Sequence, residues 1–144
     1  MEENHKRGIA LLSKRRRMKL VKKIVSRKGI VHFKRWSIWS TRWFNIYLHQ
    51  INEADLDEDM HDHPWSFWSI ILWGGYQEQL KDSLVNRRFL HMAYRKKNTP
   101  HKILRLFRRT WTLVVTGPGD RVWGYDTDKG WKDFKTYRKE KHNE

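Results

Sequence analysis

The chain has 144 residues, no cysteine and a formal net charge of +15, from 31 Lys and Arg against 16 Asp and Glu. This length fits a single domain, and the lack of cysteine excludes disulfides and thiolate metal sites, leaving His, Asp and Glu as the strong metal ligands. The charge predicts attraction to anions such as nucleotides, phosphorylated metabolites or nucleic acid, and the absence of disulfides favours a reducing, cytoplasmic location.

Residues 1–28 form a basic N-terminal arm that carries most of its charge as Lys and Arg. Apolar residues recur at helical spacing in "MKLVKKIV", so we expect a helix within the arm. The arm lacks the apolar core of a signal peptide, and no apolar run in the chain reaches the length of a membrane span. The arm is either a surface helix or tail, or a segment that binds nucleic acid through phosphate contacts.

Residues 29–144 read as one β domain, because short runs rich in Val, Ile, Thr and aromatic residues follow one another with no helical segment between them. The predicted strands are "IVHFKRW", "RWFNIYLHQI", "WSFWSIILW", "YQEQL", "RRFLHMAYR", "HKILRLF", "TWTLVVTG", "DRVWGYD" and "WKDFKTY". Turn residues separate several of them, including Gly74-Gly75 and Asn98-Thr99-Pro100. This pattern predicts an all-β sandwich or barrel.

The stretch "HDHPW" places His61 and His63 one residue apart. Side chains at i and i+2 of a strand share a face, so the two imidazoles project together while Asp62 points the other way. Two such imidazoles and a third from a neighbouring strand make a usual site for a catalytic divalent metal; the alternative is two surface histidines in a polar loop. His101, in "NTPHK", is the preferred third ligand, and His49 is kept as a supporting or substrate-facing group.

Three stretches resemble cupins. "HDHPWSFWSIILWGG" looks like the first cupin motif and "NTPHK" like the second, while "TWTLVVTGPGDRVWGYDTDKGW" is similar to the tail of small bacterial and phage cupins that carry an HDHPW signature. The resemblance covers roughly residues 36–137 and implies a double-stranded β-helix, the jelly-roll barrel of cupins, in which His61, His63 and His101 bind a divalent metal. Fe(II) is the first choice of ion, with Zn, Mn and Ni as alternatives. Because cupin barrels often pair through their outer strands, a homodimer is also expected.

The sequence departs from the cupin pattern at one ligand. Many cupins place a glutamate four or five residues after the second histidine, where this chain has Phe67 and Trp68. The nearest glutamate is Glu78, which is a candidate for a fourth ligand or a supporting residue, or else a solvent-facing strand residue.

Substrate-binding candidates lie later in the chain. Arg121, Trp123 and Tyr125 would share one strand face, where an arginine beside aromatic rings can hold an anionic group. The alternative for Arg121 is a stabilising cation–π contact at the barrel rim. Arg95 has the same two interpretations, and Trp68 is a candidate for the pocket wall.

Three functions follow from these features. The first is a metal-dependent cupin enzyme, with an Fe(II) oxygenase preferred and isomerisation or hydrolysis as alternatives, that acts on a small anionic substrate. The second is a non-catalytic pocket that sequesters a nucleotide-like phosphorylated ligand. The third is a nucleic-acid-associated protein that tracks phosphates with residues 6–28.

Overall fold

The structure is a computed structural model that describes residues 18–26 and 28–142. Within these residues it contains ten strands and one helix, α1 (Phe134–His142). The strands are β1 (Lys19–Val25), β2 (Val31–Ser40), β3 (Asn45–Ile51), β4 (Met60–His61), β5 (Phe67–Leu80), β6 (Ser83–Arg88), β7 (Met92–Arg95), β8 (His101–Thr116), β9 (Gly124–Thr127) and β10 (Gly130–Asp133). The all-β prediction is therefore confirmed. No helix in the described part of the chain is long and apolar enough to cross a membrane.

The long strands β5 and β8 organise the barrel because they pair with each other from end to end and belong to two groups of strands. The second half of β8 pairs with β3, which continues through β2 to β1, while the first half of β5 pairs with β7. At the other end, β8 begins beside β4, which leads to β9 and β10, and the second half of β5 pairs with β6. All of these pairings are antiparallel.

The apolar core lies between these two groups of strands. Ile51 and Ile71 come from the group that contains β3, and Tyr76 and Ile103 come from the opposite group. Ile71 is only 1% exposed, and Phe33 packs against the cluster from β2. The two groups therefore face each other across a shared interior, which is the space that a barrel site would occupy.

The helix predicted in the arm is wrong over the part of the arm that the structure describes. Residues 19–25 form strand β1, which pairs with β2 and is exposed along its length. The β-branched residues Val21, Ile24 and Val25 favour a strand, and pairing with β2 satisfies the backbone groups that a helix would have satisfied internally. Residues 1–17 lie outside the described residues, so the domain boundary at residue 28 and nucleic-acid binding by the arm stay predictions.

Two of the predicted strand breaks are absent. "WSFWSIILW" and "YQEQL" form the single strand β5, and "HKILRLF" and "TWTLVVTG" form the single strand β8. Gly74 and Gly75 are not a turn: they lie inside β5 at positive φ, where the register with β8 shifts. A Cβ on Gly74 would lie 2.4 Å from the carbonyl oxygen of Arg109, so the glycine allows a bulge that bends the paired strands.

The C-terminal prediction is also corrected, because "WKDFKTY" contains the end of β10 and the start of helix α1 rather than one strand. The Asp133 carboxylate accepts hydrogen bonds from the backbone N–H groups of Lys135 and Thr136 at 3.0 and 3.1 Å, which is the geometry of an N-cap. The helix packs on the barrel through Tyr137, whose ring stacks on Tyr125 at 3.9 Å.

Candidate metal centre

Three histidines converge in the interior. One nitrogen from each of His61, His63 and His101 lies within 4.8 Å of the other two, and no other His, Cys, Asp or Glu in the described residues joins this group. The Nε2 atoms of His63 and His101 are 2.8 Å apart. Ring centroids are 5.1 Å apart for His61 and His63, 4.9 Å for His61 and His101, and 5.0 Å for His63 and His101. The three rings therefore form a nearly equilateral triangle.

The convergence follows from strand pairing. His61 on β4 is directly opposite His101 on β8, and cross-strand neighbours share a face. The chain continues extended past His61, so His63 falls on the same side two residues later. Its backbone N–H donates to the carbonyl of Lys97 at 3.0 Å, which fixes this segment beside the loop that precedes β8. Phe67 packs edge-on to His63 at 4.8 Å and forms an apolar wall of the site.

Burial keeps two of these imidazoles neutral. Burial has the largest effect on the pKa of His61 and the charge of His101 the second largest, and together they lower it to about 4. Nearby aspartates raise this pKa but do not outweigh the two effects. Burial, followed by His101 and His61, lowers the pKa of His63 well below its usual range. A neutral imidazole carries a free lone pair, so neither histidine has to lose a proton at neutral pH before it binds a metal.

Glu78 lies behind His101. Its Oε1 is 2.8 Å from Nδ1 of His101, while Nε2 of the same ring faces His63. Arg87 Nε donates to Oε2 at 2.8 Å, Arg95 Nε donates to Oε1 at 3.2 Å, and a second nitrogen of Arg95 also donates to Oε2. Burial opposes ionisation of Glu78, but His101 and the two arginines outweigh it and lower its pKa to about 2. The structure thus places Glu78 as a carboxylate that orients His101, and not among the converging nitrogens.

Asp62 points away from the histidines, as the alternation of the strand predicts. It is 3% exposed. Its Oδ1 accepts the backbone N–H of Gly124 at 2.7 Å, and its Oδ2 accepts from Arg121 at 2.6 Å and from the Trp131 indole at 2.9 Å. Arg121 also donates to the carbonyl of Lys97 at 3.1 Å. The sequence left two interpretations of Arg121 open, a contact with a substrate anion or a cation–π contact at the rim. In the structure its guanidinium pairs with Asp62, which joins β4 to the later strands, and lies 5.5 Å from the ring centroid of Trp131, while binding of a substrate anion stays a prediction.

We predict that Asp62→Asn lowers the free energy of unfolding by about 2 to 4 kcal/mol. The amide N–H of the asparagine would face one of the groups that now donate a hydrogen bond to Asp62, and Arg121 would lose its buried counter-ion. Urea unfolding of the variant measures the loss. The control is Asp82→Asn, at an exposed position in the turn between β5 and β6, which should change stability by less than about 0.5 kcal/mol. Equal stabilities for the two variants would contradict this role for Asp62.

The remaining candidates divide into two groups. Trp123 and Tyr125 both have ring centroids 6.4 Å from that of His61, so they flank the histidines, although only Tyr125 lies in a strand. Tyr125 donates its hydroxyl to Asp57 at 2.7 Å. Arg95 is paired with Glu78, as described above. Trp68 is 51% exposed on the outer face, because it alternates with the inward-facing Phe67, so it does not line the interior.

The inner face of β2 carries an arginine that the sequence motifs did not indicate. Arg35, on β2, is cross-strand from His49, and its Nε donates to His49 Nε2 at 2.9 Å. His49 is 9% exposed and is separate from the three-histidine group. Alternation with the core residue Phe33 could have indicated that Arg35 faces inward, since the two are two residues apart on one strand.

The nitrogen spacing suits a metal ion. Imidazole nitrogens that bind one first-row ion at about 2.1 Å lie about 3 to 3.5 Å from one another. The pair His63 and His101 is at 2.8 Å, and no separation in the group exceeds 4.8 Å. The three nitrogens are thus close enough to converge on one ion, and imidazole nitrogens match the preference of borderline divalent ions.

No protein-family model matches the sequence, and no curated protein sequence matches it. Solved structures, in contrast, match its fold. A cupin-2 domain protein of Rhodospirillum rubrum superposes with a TM-score of 0.62 at 10% identity, over 85% of this chain and 82% of that chain. The DMSP lyase DddQ of Ruegeria pomeroyi gives 0.57 at 14% identity, over 74% and 59% of the two chains. HppE with ferrous iron gives 0.58 at 10% identity, over 72% and 58%. These likenesses show a shared fold.

Proposed function

The chain has the fold of the cupins, as its sequence motifs predicted, and we propose that it is a metal-dependent cupin enzyme in which His61, His63 and His101 hold one divalent ion. The reaction we favour is an Fe(II)-dependent oxygenation of a small anionic substrate. The observation that carries the proposal is the convergence of three imidazole nitrogens within 4.8 Å, two of them on histidines that burial keeps neutral.

The proposed role of each residue follows from its contacts. A bound divalent ion would act as a Lewis acid with positions open to substrate. His61, His63 and His101 would anchor it, and Glu78 would fix the tautomer of His101 by accepting a hydrogen from Nδ1. Phe67, which packs on His63, would exclude water from that side of the site.

The fold neighbours support an enzyme with this type of centre. One of them, HppE, was solved with ferrous iron, and another is a DMSP lyase, so the fold accommodates more than one reaction. Three imidazole nitrogens suit Fe, Zn, Ni and Cu alike, and for this chain we favour iron because HppE, a fold neighbour, was solved with ferrous iron. A divalent ion held by three protein ligands would be able to take substrate and dioxygen as further ligands.

The test is nitric oxide binding to protein loaded anaerobically with ferrous iron. Nitric oxide binds open iron positions as a substitute for dioxygen, so the high-spin iron–nitrosyl EPR signal should develop in proportion to bound iron. Loaded protein that binds iron but gives no such signal would contradict an oxygenase, because it would leave no position for dioxygen.

A second candidate function is a non-catalytic pocket for a phosphorylated ligand. The observation in its favour is Arg35, a cation on the inner face of β2 with no carboxylate close to it in the described residues. Mass spectrometry of small molecules that co-purify with the protein separates the two functions. A bound nucleotide that stays unchanged when iron and dioxygen are supplied would favour the pocket over the enzyme.

A further inference from the structure

Arg35 lies in a cage of aromatic rings in the interior. Its guanidinium carbon is 5.5 Å from the ring centroid of Phe33, 5.0 Å from that of Tyr47 and 5.6 Å from that of Trp65. Its Nε donates to His49. Rings on several sides hold the guanidinium in place by cation–π contacts and leave its terminal N–H groups to act as donors.

Among the arginines of the described residues that are not exposed, Arg35 is the one without a carboxylate counter-ion. Arg87 and Arg95 pair with Glu78, and Arg121 pairs with Asp62. Within residues 18–26 and 28–142, no carboxylate oxygen lies within 4.0 Å of the Arg35 guanidinium. Burial lowers the pKa of Arg35, yet an arginine stays charged at neutral pH, so the described strands hold a desolvated cation without supplying an anion to it.

The neighbours of Arg35 do not supply the missing negative charge. Burial, followed by the charges of Arg35 and Lys22, lowers the pKa of His49 well below its usual range, so this ring is a neutral acceptor. Lys22 on β1 is the cross-strand partner of Arg35 and therefore shares its face of the sheet. Desolvation and the charge of Arg35 lower the pKa of Lys22, as expected for two adjacent cations.

Arg35 and the three histidines face the same interior. Trp65, which contacts the Arg35 guanidinium, is two residues from His63 along the chain. Because Trp65 links Arg35 to the segment that carries His63, a molecule bound at the histidines would have a cationic group beside it on the inner face of β2.

We infer that Arg35 binds the anionic group of the substrate, and that this group is an oxyanion, a carboxylate or a phosphate, with Lys22 adding a second positive charge. This inference rests on the proposed function for the identity of the substrate, but anion binding by Arg35 does not require the metal. Arg121, for which the sequence also suggested anion binding, is paired with Asp62.

The experiment titrates the full-length, metal-free protein with inorganic phosphate and, separately, with acetate at constant ionic strength by calorimetry. Arg35→Gln should weaken the tightest anion site by at least about tenfold, because a charge-assisted, bidentate contact is lost. Arg35→Lys should weaken it by about threefold to tenfold, since the charge stays but the planar fork of donors does not. The matched control is Arg42→Gln, which removes an exposed arginine that stacks on Trp43 and should change the site by less than about twofold.

The outcomes are separable. Phosphate bound more tightly than acetate identifies a phosphorylated substrate class, and the reverse identifies a carboxylate. Equal affinities in wild type, Arg35→Gln and Arg35→Lys, or equal weakening by Arg42→Gln, would overturn the inference. If Arg35→Gln fails to fold, the inference is tested with Arg35→Lys. The rise in melting temperature that phosphate causes should then be smaller for Arg35→Lys than for the wild type.

Two further measurements separate this inference from the proposed function. Arg35→Gln should bind as much metal as the wild type, because Arg35 is outside the three-histidine group. A variant that lacks His61 and His63 should retain phosphate binding that Arg35→Lys weakens. A wild-type protein that binds phosphate through Arg35 but binds no metal would contradict the proposed function alone. A wild-type protein that binds metal but whose phosphate affinity does not depend on Arg35 would contradict this inference alone.

Discussion

The double variant His61→Ala/His63→Ala is expected to retain less than about a tenth of the metal that the wild-type protein binds per chain. Two of the three converging nitrogens are removed, and a single imidazole, His101, does not hold a divalent ion through buffer exchange. The measurement is elemental analysis after anaerobic loading with ferrous iron and, in parallel, with zinc. The fold should survive, because the two imidazoles contact mainly each other, His101 and the aromatic rings around them.

His91→Ala is the matched control for this loss. His91 is an exposed histidine in the turn between β6 and β7, and its Nδ1 accepts the backbone N–H of Arg88 at 3.2 Å. It should load as much metal as the wild type. Similar metal content in the double variant and in His91→Ala would show that the metal is bound elsewhere.

Glu78→Ala is expected to lower the free energy of unfolding by about 3 to 5 kcal/mol. The carboxylate is 2% exposed and is the counter-ion of both Arg87 and Arg95, so its removal leaves two largely buried cations unpaired. It also leaves Nδ1 of His101 without its acceptor. Urea unfolding of metal-free protein measures the loss without any contribution from metal binding.

Two comparisons refine this prediction. Glu140→Ala removes an exposed carboxylate that pairs with Lys132, and it should cost less than about 1 kcal/mol. Glu78→Gln keeps the shape of the side chain, and it should weaken metal binding by about tenfold to a hundredfold through the lost orientation of His101. A Glu78→Ala variant as stable as Glu140→Ala would mean that the arginines find other partners, and Glu78 would then not be their essential counter-ion.

The sequence contained enough to select the three histidines. The spacing of His61 and His63 places both imidazoles on one side of an extended chain, and the resemblance to cupin motifs implied that His101 joins them. The direct pairing of His61 with His101 depends on the register between β4 and β8, which no local pattern encodes. The structure supplied this register, and with it the triangle of rings.

The arginine assignments show what sequence alone cannot provide. Arg121 sits beside aromatic residues in the sequence, but its role is set by Asp62, 59 positions earlier in the chain. Arg35 lies in a basic stretch, and the local sequence does not distinguish it from the neighbouring Lys and Arg residues. Only the strands packed against it show that it faces inward with no carboxylate near it in the described part of the molecule. Charge pairing between distant segments is a tertiary property.

The predicted helix in the arm has a similar explanation. Apolar residues in residues 18–25 fit a helical period, yet the same residues also suit an edge strand, and the available partner decides between them. Strand β2 offers unpaired backbone groups along its outer edge, and β1 occupies them over Lys19–Val25. The error therefore came from a long-range pairing and not from the local composition.

The most direct test of the metal centre is anomalous X-ray diffraction from crystals of the protein loaded with ferrous iron, recorded above and below the iron absorption edge. We predict one strong anomalous peak per chain, about 2.1 Å from a nitrogen of each of His61, His63 and His101. A loaded crystal with its iron peak elsewhere, or with side chains of the three histidines turned away from a common point, would contradict a metal centre built from these residues.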